Sequence, residues 1–335
     1  MRALQFTDHG EPRDVLRVQE ASVPPVKSGQ ARVRMLYSPI NPSDLLRVKG
    51  LYGKSASYPA VPGFEGVGIV EEVNSLIAKT VMGIKPGRKV VVLNQHSGNW
   101  QEQVVVPALR LFPVPVGVSD QDAAGYFVNP ATALIMTRME LQVPEGAWLL
   151  QTAAGSSLGK MVIKLGKRFG FKTINVVRRS ETAEVIKKLG ADAIINTSQE
   201  DLQQRVKDLT KGEGVKYAID AVGGSTVSQV VNCLGMGGRL LVYGSLDWST
   251  SEFTNRHLIS TGASIAGFAL QQWSARHSKF QMLNLLKQIG KLMQEHVLTT
   301  DVSEVFPLEK YLDAIAAAET PGRQGKILLQ LGKPT

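Results

Sequence analysis

The sequence predicts an α/β protein: a doubly wound parallel sheet accompanied by a β-rich unit. From about Ala147 onward, short apolar runs alternate with amphipathic stretches of helical length. That pattern belongs to right-handed βαβ units whose strands are covered on both faces. The first 120 residues instead read as short strands punctuated by Pro and Gly, in VPP, NPSD, YPAVPG and KPG. With 335 residues, 43% hydrophobic and 20% charged, the chain has the length and composition of a globular protein of about two domains.

Taken in order, residues 31–36, 66–73 and 89–93 read as strands of the first unit. Residues 120–140 are Ala-rich, with Pro130 near the start of an expected helix. The alternation then begins with a buried strand at 147–153 (AWLLQTA) and a helix at 159–169 through Met161, Val162, Leu165 and Phe169. A strand at 173–177, a helix at 181–189, a strand at 193–196 and a polar helix ending at Leu209 follow. Strands at 217–222, 239–243 and 263–268 complete the series, with a helix at 226–234 between the first two. After Trp273 a long amphipathic helix is expected, with Phe280, Leu283, Leu286 and Ile289 on its apolar face. The tail (a strand at 302–306, the helix LEKYLDAIAAAE and a strand at 326–331) stands outside the βα series and is expected to fold back onto the first unit. The expected domains are therefore 1–120 with 272–335, discontinuous, and 121–271.

Composition excludes several chemistries. The lone Cys233 leaves no internal disulfide and no multi-cysteine metal site, and the five histidines are scattered without metal-ligand spacing. The net charge of +9 is spread along the chain, and no nucleic-acid motif accompanies it. Small phosphate-bearing molecules are the partners this charge suits; nucleic acid is not expected. The opening MRALQFTDHGEP has no apolar core of a signal peptide, and no stretch reaches the ~20 apolar residues of a membrane helix. A cytoplasmic protein without a membrane partner is the expectation.

The turn after the first strand of the series, Ala153-Ala154-Gly155-Ser156-Ser157-Leu158-Gly159, is small and slim. A dinucleotide pyrophosphate needs such a turn, because it must approach backbone N–H groups at a helix N-terminus. Ala154 and Ser156 stand where G-x-G-x-x-G would place its first two glycines. The same residues also match G-x-S-x-G, the nucleophile elbow of a hydrolase. In that alternative Ser157 is the nucleophile, His257, His277 or His296 the base, and Asp220 the orienting acid. About 20 residues after the loop, where an NAD site carries an acid for the ribose diol, stand Arg178 and Arg179. Two guanidinium groups favour a 2′-phosphate, so NADPH is the expected cofactor.

These residues resemble the medium-chain dehydrogenase/reductase superfamily over essentially the whole chain. The resemblance implies a GroES-like catalytic domain, completed by the tail, around a Rossmann domain. Zinc members of that superfamily carry a Cys and a His at the positions of Asn41 and Phe64, so a zinc-free branch, with no metal, is implied. Within it the chain is similar to the mitochondrial-type trans-2-enoyl thioester reductases, through NPSD, GLYG, YPAVPGFEG, VNPATA, INVVRR, AVGG, VYGS and GFALQQW. This likeness implies NADPH-dependent reduction of the C=C of a 2-enoyl thioester on CoA or an acyl carrier protein, with Tyr52 as proton donor and Tyr58 as its substitute. Lys54 is expected to favour the phenolate. The implied cofactor contacts are Asn129, Gly155, Ser156, Ser157, Leu158, Arg178, Arg179, Ser180, Tyr243, Gly244, Ser245, Leu246, Phe268, Ala269, Leu270, Gln271 and Lys326, and Trp273 is expected to wall the substrate pocket. Ser157 and Ser245 replace common glycines, and Ala269 replaces a bulky Trp, which alters the expected acyl pocket. Zinc-free quinone oxidoreductases share the scaffold and remain the alternative reading. A homodimer is expected by the same analogy.

Overall fold

Apolar alternation in the N-terminal part builds an antiparallel sheet. The computed structural model, which describes residues 1–53, 57–94 and 97–333, places there β1 (Arg2–Gln5), β2 (Arg17–Glu20), β3 (Gln30–Pro39), β4 (Glu65–Asn74), β5 (Lys89–Leu93), β6 (Gln103–Pro107) and β7 (Leu111–Pro113). Along β3, Ala31, Val33 and Met35 are buried while Arg32 and Arg34 face outward. Arg32 lies opposite Glu72 of β4 and forms an ion pair with it at 2.6 Å. Trp100 is fully buried, and its Nε1 donates to the Pro39 carbonyl at 3.3 Å. Gly63, at φ +99, lies so close to this indole that a Cβ would stand 2.5 Å from Cδ1.

The second unit holds β8 (Trp148–Gln151), β9 (Lys172–Val177), β10 (Ala193–Asn196), β11 (Val215–Asp220), β12 (Leu234–Val242) and β13 (Ser264–Gly267). They form one parallel sheet in the order β10-β9-β8-β11-β12-β13. The chain starts in the middle, winds out to β10, then returns to β11 and winds out the other way, as a Rossmann sheet does. The helix Ser157–Phe169 after β8 buries Leu158, Met161, Val162, Ile163 and Leu165, and the left-handed Gly170 ends it. Apolar side chains of β8, β9, β11 and β12 form a core with those of the helices Leu202–Leu209 and Gly224–Asn232.

The tail supplies β14 (Val302–Pro307) and β15 (Lys326–Gln330). β15 pairs antiparallel with β3, Leu328 opposite Pro39, so the first sheet runs β14-β15-β3-β4-β5-β7, with β6 also on β3. Two compact units result, Met1–Val128 with Thr299–Thr335, and Asn129–Leu298. Their division falls later along the chain than the expected boundaries at 120 and 272. The difference arises because the helix Lys279–Gln294 belongs with the parallel sheet's unit rather than with the tail.

Two expected helices are divided. Residues 120–140 form Asp120–Ala124, then Val128–Leu134 and a π-helical turn Ile135–Glu140, with Gly125 capping the first piece. The helix expected after Trp273 splits into Leu270–Arg276 and Lys279–Gln294, the latter started by a Ser278/Gln281 capping box. Phe280 and Leu283, expected on the apolar face, are 71% and 40% exposed; the buried stripe is Leu285, Leu286, Ile289, Leu292 and Met293.

Gly159 lies against backbone in the first βα turn, where a Cβ would stand 2.6 to 2.7 Å from Ala154. Backbone cannot rotate away as a side chain can. Gly159→Ala is therefore expected to cost about 1–3 kcal/mol by overpacking, read as a Tm lowered by several degrees; an unchanged Tm would show that the turn has slack.

Candidate active site

The first unit concentrates its buried charge at one place. Asn41 caps the helix Pro42–Val48, and Asp44, three residues on, returns the capping-box hydrogen bond by accepting from Asn41 N at 2.8 Å. The other Asp44 oxygen accepts from Phe64 N at 2.9 Å. Glu65, at the start of β4, accepts from Asn41 Nδ2 at 3.1 Å and from Phe127 N and Val128 N at 2.8 and 2.9 Å. Lys326, the first residue of β15, donates from Nζ to Asn41 Oδ1 at 2.6 Å. All four side chains are buried. Burial pushes the Asp44 carboxyl up to about 7, against its two backbone hydrogen bonds, and raises Glu65 as well. Burial lowers the Lys326 ammonium to about 8, opposed by the negative charge of Glu65.

Tyr52 follows this helix in the GLYG turn. It is partly buried and meets the Phe64 ring edge-on, centroids 5.8 Å apart at 62°. The Arg47 guanidinium lies 5.5 Å from the centroid of the same ring. Burial, and then the negative charge of Asp44, raise the Tyr52 phenol above its ordinary 10.0, so it is held as the neutral, proton-bearing form. Lys54 lies outside the described residues. Tyr58 is 42% exposed and packs with Phe6 and His9, away from this charged cluster.

In the second unit, the sequence-expected cofactor residues fall at the carboxyl ends of the parallel strands. Gly155 to Leu158 follow β8, Arg178 to Ser180 follow β9, Tyr243 to Leu246 follow β12, and Phe268 to Gln271 follow β13. Doubly wound sheets bind ligands at this edge. Ala153 takes the left-handed φ of +49 that sharpens the first turn, and Ser156 caps the following helix by accepting from Gly159 N at 3.0 Å. A Cβ at Gly155 would meet Thr182 Cγ2 at 2.2 Å, and one at Gly244 would meet the Ala221 carbonyl at 2.7 Å, so both turns are shaped for glycine. Arg178, Arg179 and Ser180 are exposed. Asp247 is held below the usual carboxylate range by hydrogen bonds from Ser249, with a smaller contribution from the Arg178 charge. Glycine turns at the strand ends and exposed guanidinium groups fit a dinucleotide phosphate. Asn129 opens this unit, in the first turn of Val128–Leu134. Lys326, also expected among the cofactor contacts, lies in the buried cluster of the first unit, where its ammonium donates to Asn41.

The hydrolase alternative does not assemble. Asp220 spends its carboxylate on Thr152 Oγ1 at 2.6 Å and on Val222 N and Gly223 N at 3.1 and 2.7 Å. His257 Nε2 and His277 Nδ1 face the Leu234 and Trp273 carbonyls rather than a serine. The Thr152–Asp220 pair joins the ends of β8 and β11, where the winding reverses, and sequence reading had given it no such structural part. Trp273 is nearly buried, donates from Nε1 to Glu140 Oε1 at 2.8 Å and stacks on His277 at 3.6 Å, so its ring is fixed in place.

Comparison with known proteins agrees with this geometry. The family model described as "Alcohol dehydrogenase GroES-like domain" matches residues 27–116, and that described as "Zinc-binding dehydrogenase" matches residues 157–288. The chain is 32% identical to the mitochondrial enoyl-[acyl-carrier-protein] reductase of Rattus norvegicus over 326 residues, covering 96% of this chain and 86% of the relative. It is likewise 32% identical to that of Homo sapiens, covering 99% and 89%. A putative NADPH:quinone reductase from Bacillus thuringiensis superposes with a TM-score of 0.91 at 30% identity, covering 98% of both chains. The chain belongs to the medium-chain dehydrogenase/reductase superfamily, and it is an oxidoreductase of the nicotinamide-dependent kind. Zinc, implied by the second family description, does not fit the residues present. Asn41 uses both ends of its amide on Glu65 and Lys326, Phe64 offers no donor, and among the described residues no three His, Cys, Asp or Glu side chains gather to hold a metal ion. Among the described residues no helix is long and apolar enough to cross a membrane.

Asp44 and Glu65 escaped the sequence reading as site residues. The signal available for Asp44 was the N-x-x-D spacing of a capping box in NPSD; nothing local marked Glu65. Because the folded Asp44 carboxyl sits near 7 rather than 3.8, the stability it contributes is full below 3.8 and is lost as pH rises through about 7. Asp44→Asn cannot titrate and cannot accept both backbone bonds. The variant should be the less stable protein, with a Tm deficit that narrows from about pH 5 to pH 8; a deficit independent of pH would mean that Asp44 does not titrate in this range.

Proposed function

We propose that this protein reduces the C=C bond of a 2-enoyl thioester, carried on CoA or an acyl carrier protein, with NADPH as reductant. The observation that supports this reading best is Tyr52, a partly buried phenol kept neutral beside Phe64 and Asp44. NADPH, when bound, supplies the hydride that reaches the β-carbon of the substrate. The reaction then leaves negative charge on the thioester oxygen as an enolate, and the α-carbon requires a proton. Tyr52 holds that proton on its hydroxyl and delivers it, a general-acid role that suits a phenol protonated across the neutral range. Its rigid seat against Phe64, itself fixed through its backbone N–H by Asp44, keeps the hydroxyl oriented. The turns at Gly155 to Leu158 and Tyr243 to Leu246 bind the cofactor's phosphates and ribose. Arg178 and Arg179 select the 2′-phosphate, Phe268 to Gln271 line the cofactor site, and Trp273 walls the substrate pocket. The net charge of +9 favours such phosphate-bearing ligands. A homodimer belongs to the same reading.

The similarity to a putative NADPH:quinone reductase favours a second reading, reduction of a quinone or small activated alkene. NADPH oxidation measured with crotonyl-CoA and with a benzoquinone separates the two: turnover of the thioester is expected, and turnover of the quinone alone would overturn the first reading. On the thioester, Tyr52→Phe should lower kcat about 10²–10⁴-fold at unchanged Tm; undiminished turnover would remove the proton-donor role. Arg178→Ala should raise the KM for NADPH about tenfold or more, the loss of a charge-assisted hydrogen bond. The KM for NADH should stay in place; equal shifts for both cofactors would refute the phosphate contact.

A further inference from the structure

The segment that follows β1 touches the chain on both sides of Tyr52. Before Tyr52, the helix Pro42–Val48 ends in a Schellman turn: Gly50, at φ +77, donates from its N–H to the Arg47 carbonyl at 3.1 Å, and Leu51 N donates to the Leu46 carbonyl at 2.9 Å. Tyr52 comes next, so the way this helix ends sets where its side chain starts. The Val48 carbonyl is among the last four of the helix, which lack partners inside it. It accepts from Gly10 N at 3.2 Å, and His9 Nδ1 lies 3.2 Å from the same oxygen, where the imidazole nitrogen must carry the hydrogen. The His9 ring also covers Gly50, where a Cβ would stand 2.9 Å from His9 Cγ. After Tyr52, the Tyr58 ring meets the same imidazole edge-on, centroids 5.7 Å apart at 73°, and meets Phe6 at 5.8 Å and 74°. Two residues on, Ala60 and Phe6 exchange both backbone hydrogen bonds, at 2.9 and 3.0 Å. His9 is exposed, and ordering its ring costs side-chain entropy that the contacts with Val48, Gly50 and Tyr58 offset. One imidazole therefore joins the helix end, the turn and the returning chain.

We propose that His9 is a positioning residue for proton delivery: a brace that fixes the chain before and after Tyr52 and so holds the phenol in the orientation that donates. This rests on the reading of Tyr52 as proton donor. Phe64 supports the Tyr52 ring, and His9 supports the backbone from which that ring projects. Tyr58, expected as a substitute donor, is the other half of the brace. A residue that acts only through the Tyr52 hydroxyl loses its effect when that hydroxyl is removed, whereas a merely structural residue does not.

The experiment makes His9→Ala and His9→Phe in the wild type and again in Tyr52→Phe. It follows kcat and the KM for NADPH with whichever acceptor, crotonyl-CoA or a benzoquinone, the wild-type enzyme reduces, and Tm to show that each variant is folded. His9→Ala should lower kcat about tenfold or more, because small misplacements of a reacting group are costly. Its KM for NADPH should stay within about twofold of wild type, since the cofactor turns are untouched. In the Tyr52→Phe background the same substitution should change kcat by less than about twofold, there being no hydroxyl left to position. His9→Phe keeps a ring against Gly50 and Tyr58 and should return kcat to within about threefold of wild type. An unchanged kcat in His9→Ala would overturn the proposal. So would an equal loss with and without the Tyr52 hydroxyl, and so would a His9→Phe variant as slow as His9→Ala, which would put the effect in the imidazole nitrogens rather than in the brace. If His9→Ala does not fold, Tyr58→Leu removes the other half of the brace and decides by the same comparison of the two backgrounds. Failure of the proton-donor reading shows itself separately, as an undiminished Tyr52→Phe variant with His9 intact.

Discussion

Parallel strands must end together, and the cofactor-binding half of this protein depends on that constraint. A parallel sheet in the order β10-β9-β8-β11-β12-β13 brings every carboxyl end to one edge. The loops that leave those ends are far apart in sequence yet become neighbours in function. Each must turn from strand to helix in a few residues, which explains the small residues there. Ala153 takes a left-handed turn, Gly159 has no room for a methyl group, and Gly244 lies against the Ala221 carbonyl. The Thr152–Asp220 hydrogen bond joins β8 to β11 at the point where the winding direction reverses. The Asp220 carboxylate is thereby committed to the scaffold.

The other unit solves a different problem. Its sheet is antiparallel, and its chemistry lies in a polar cluster rather than along an edge. Asn41, Asp44, Glu65 and Lys326 are buried together, and the hydrogen bonds between them fix one another's orientation. Such clusters are stable only when nearly every polar atom is matched, because an unmatched charge in low dielectric is expensive. The same matching disfavours a metal ion, since the Asn41 oxygen already faces an ammonium and Phe64 offers no donor. Alkene reduction asks for a hydride and a proton rather than a Lewis acid bound at this point. Tyr52, held neutral against the Phe64 ring, is the proposed source of that proton.

Much of the architecture was legible in the sequence. The strands Lys89–Leu93 and Ala193–Asn196 stand where the apolar runs placed them, and the doubly wound alternation emerged as a parallel sheet. Legibility weakened wherever packing rather than pattern decided. The face of the helix Lys279–Gln294 was misjudged because Phe280 and Leu283 sit at helical spacing yet remain exposed. β1 and β2 went unread because Arg2–Gln5 and Arg17–Glu20 are short and carry at least as many polar as apolar side chains. The glycine turn admitted both a dinucleotide and a serine nucleophile, and only the partners of Asp220, His257 and His277 separated them.

The sequence by itself determined the class of sheet, the glycine turn, the exposed arginine pair after β9 and the absence of cysteine ligands. All of these are local, set by periodicity, residue size and charge within a few positions. Only the tertiary structure decided where Lys326 lies. That residue is 285 positions from Asn41, and their meeting follows from the antiparallel pairing of β15 with β3. No short-range pattern encodes such a contact, because register between distant strands is chosen by which pairing buries the most apolar surface while leaving the fewest polar groups unmatched.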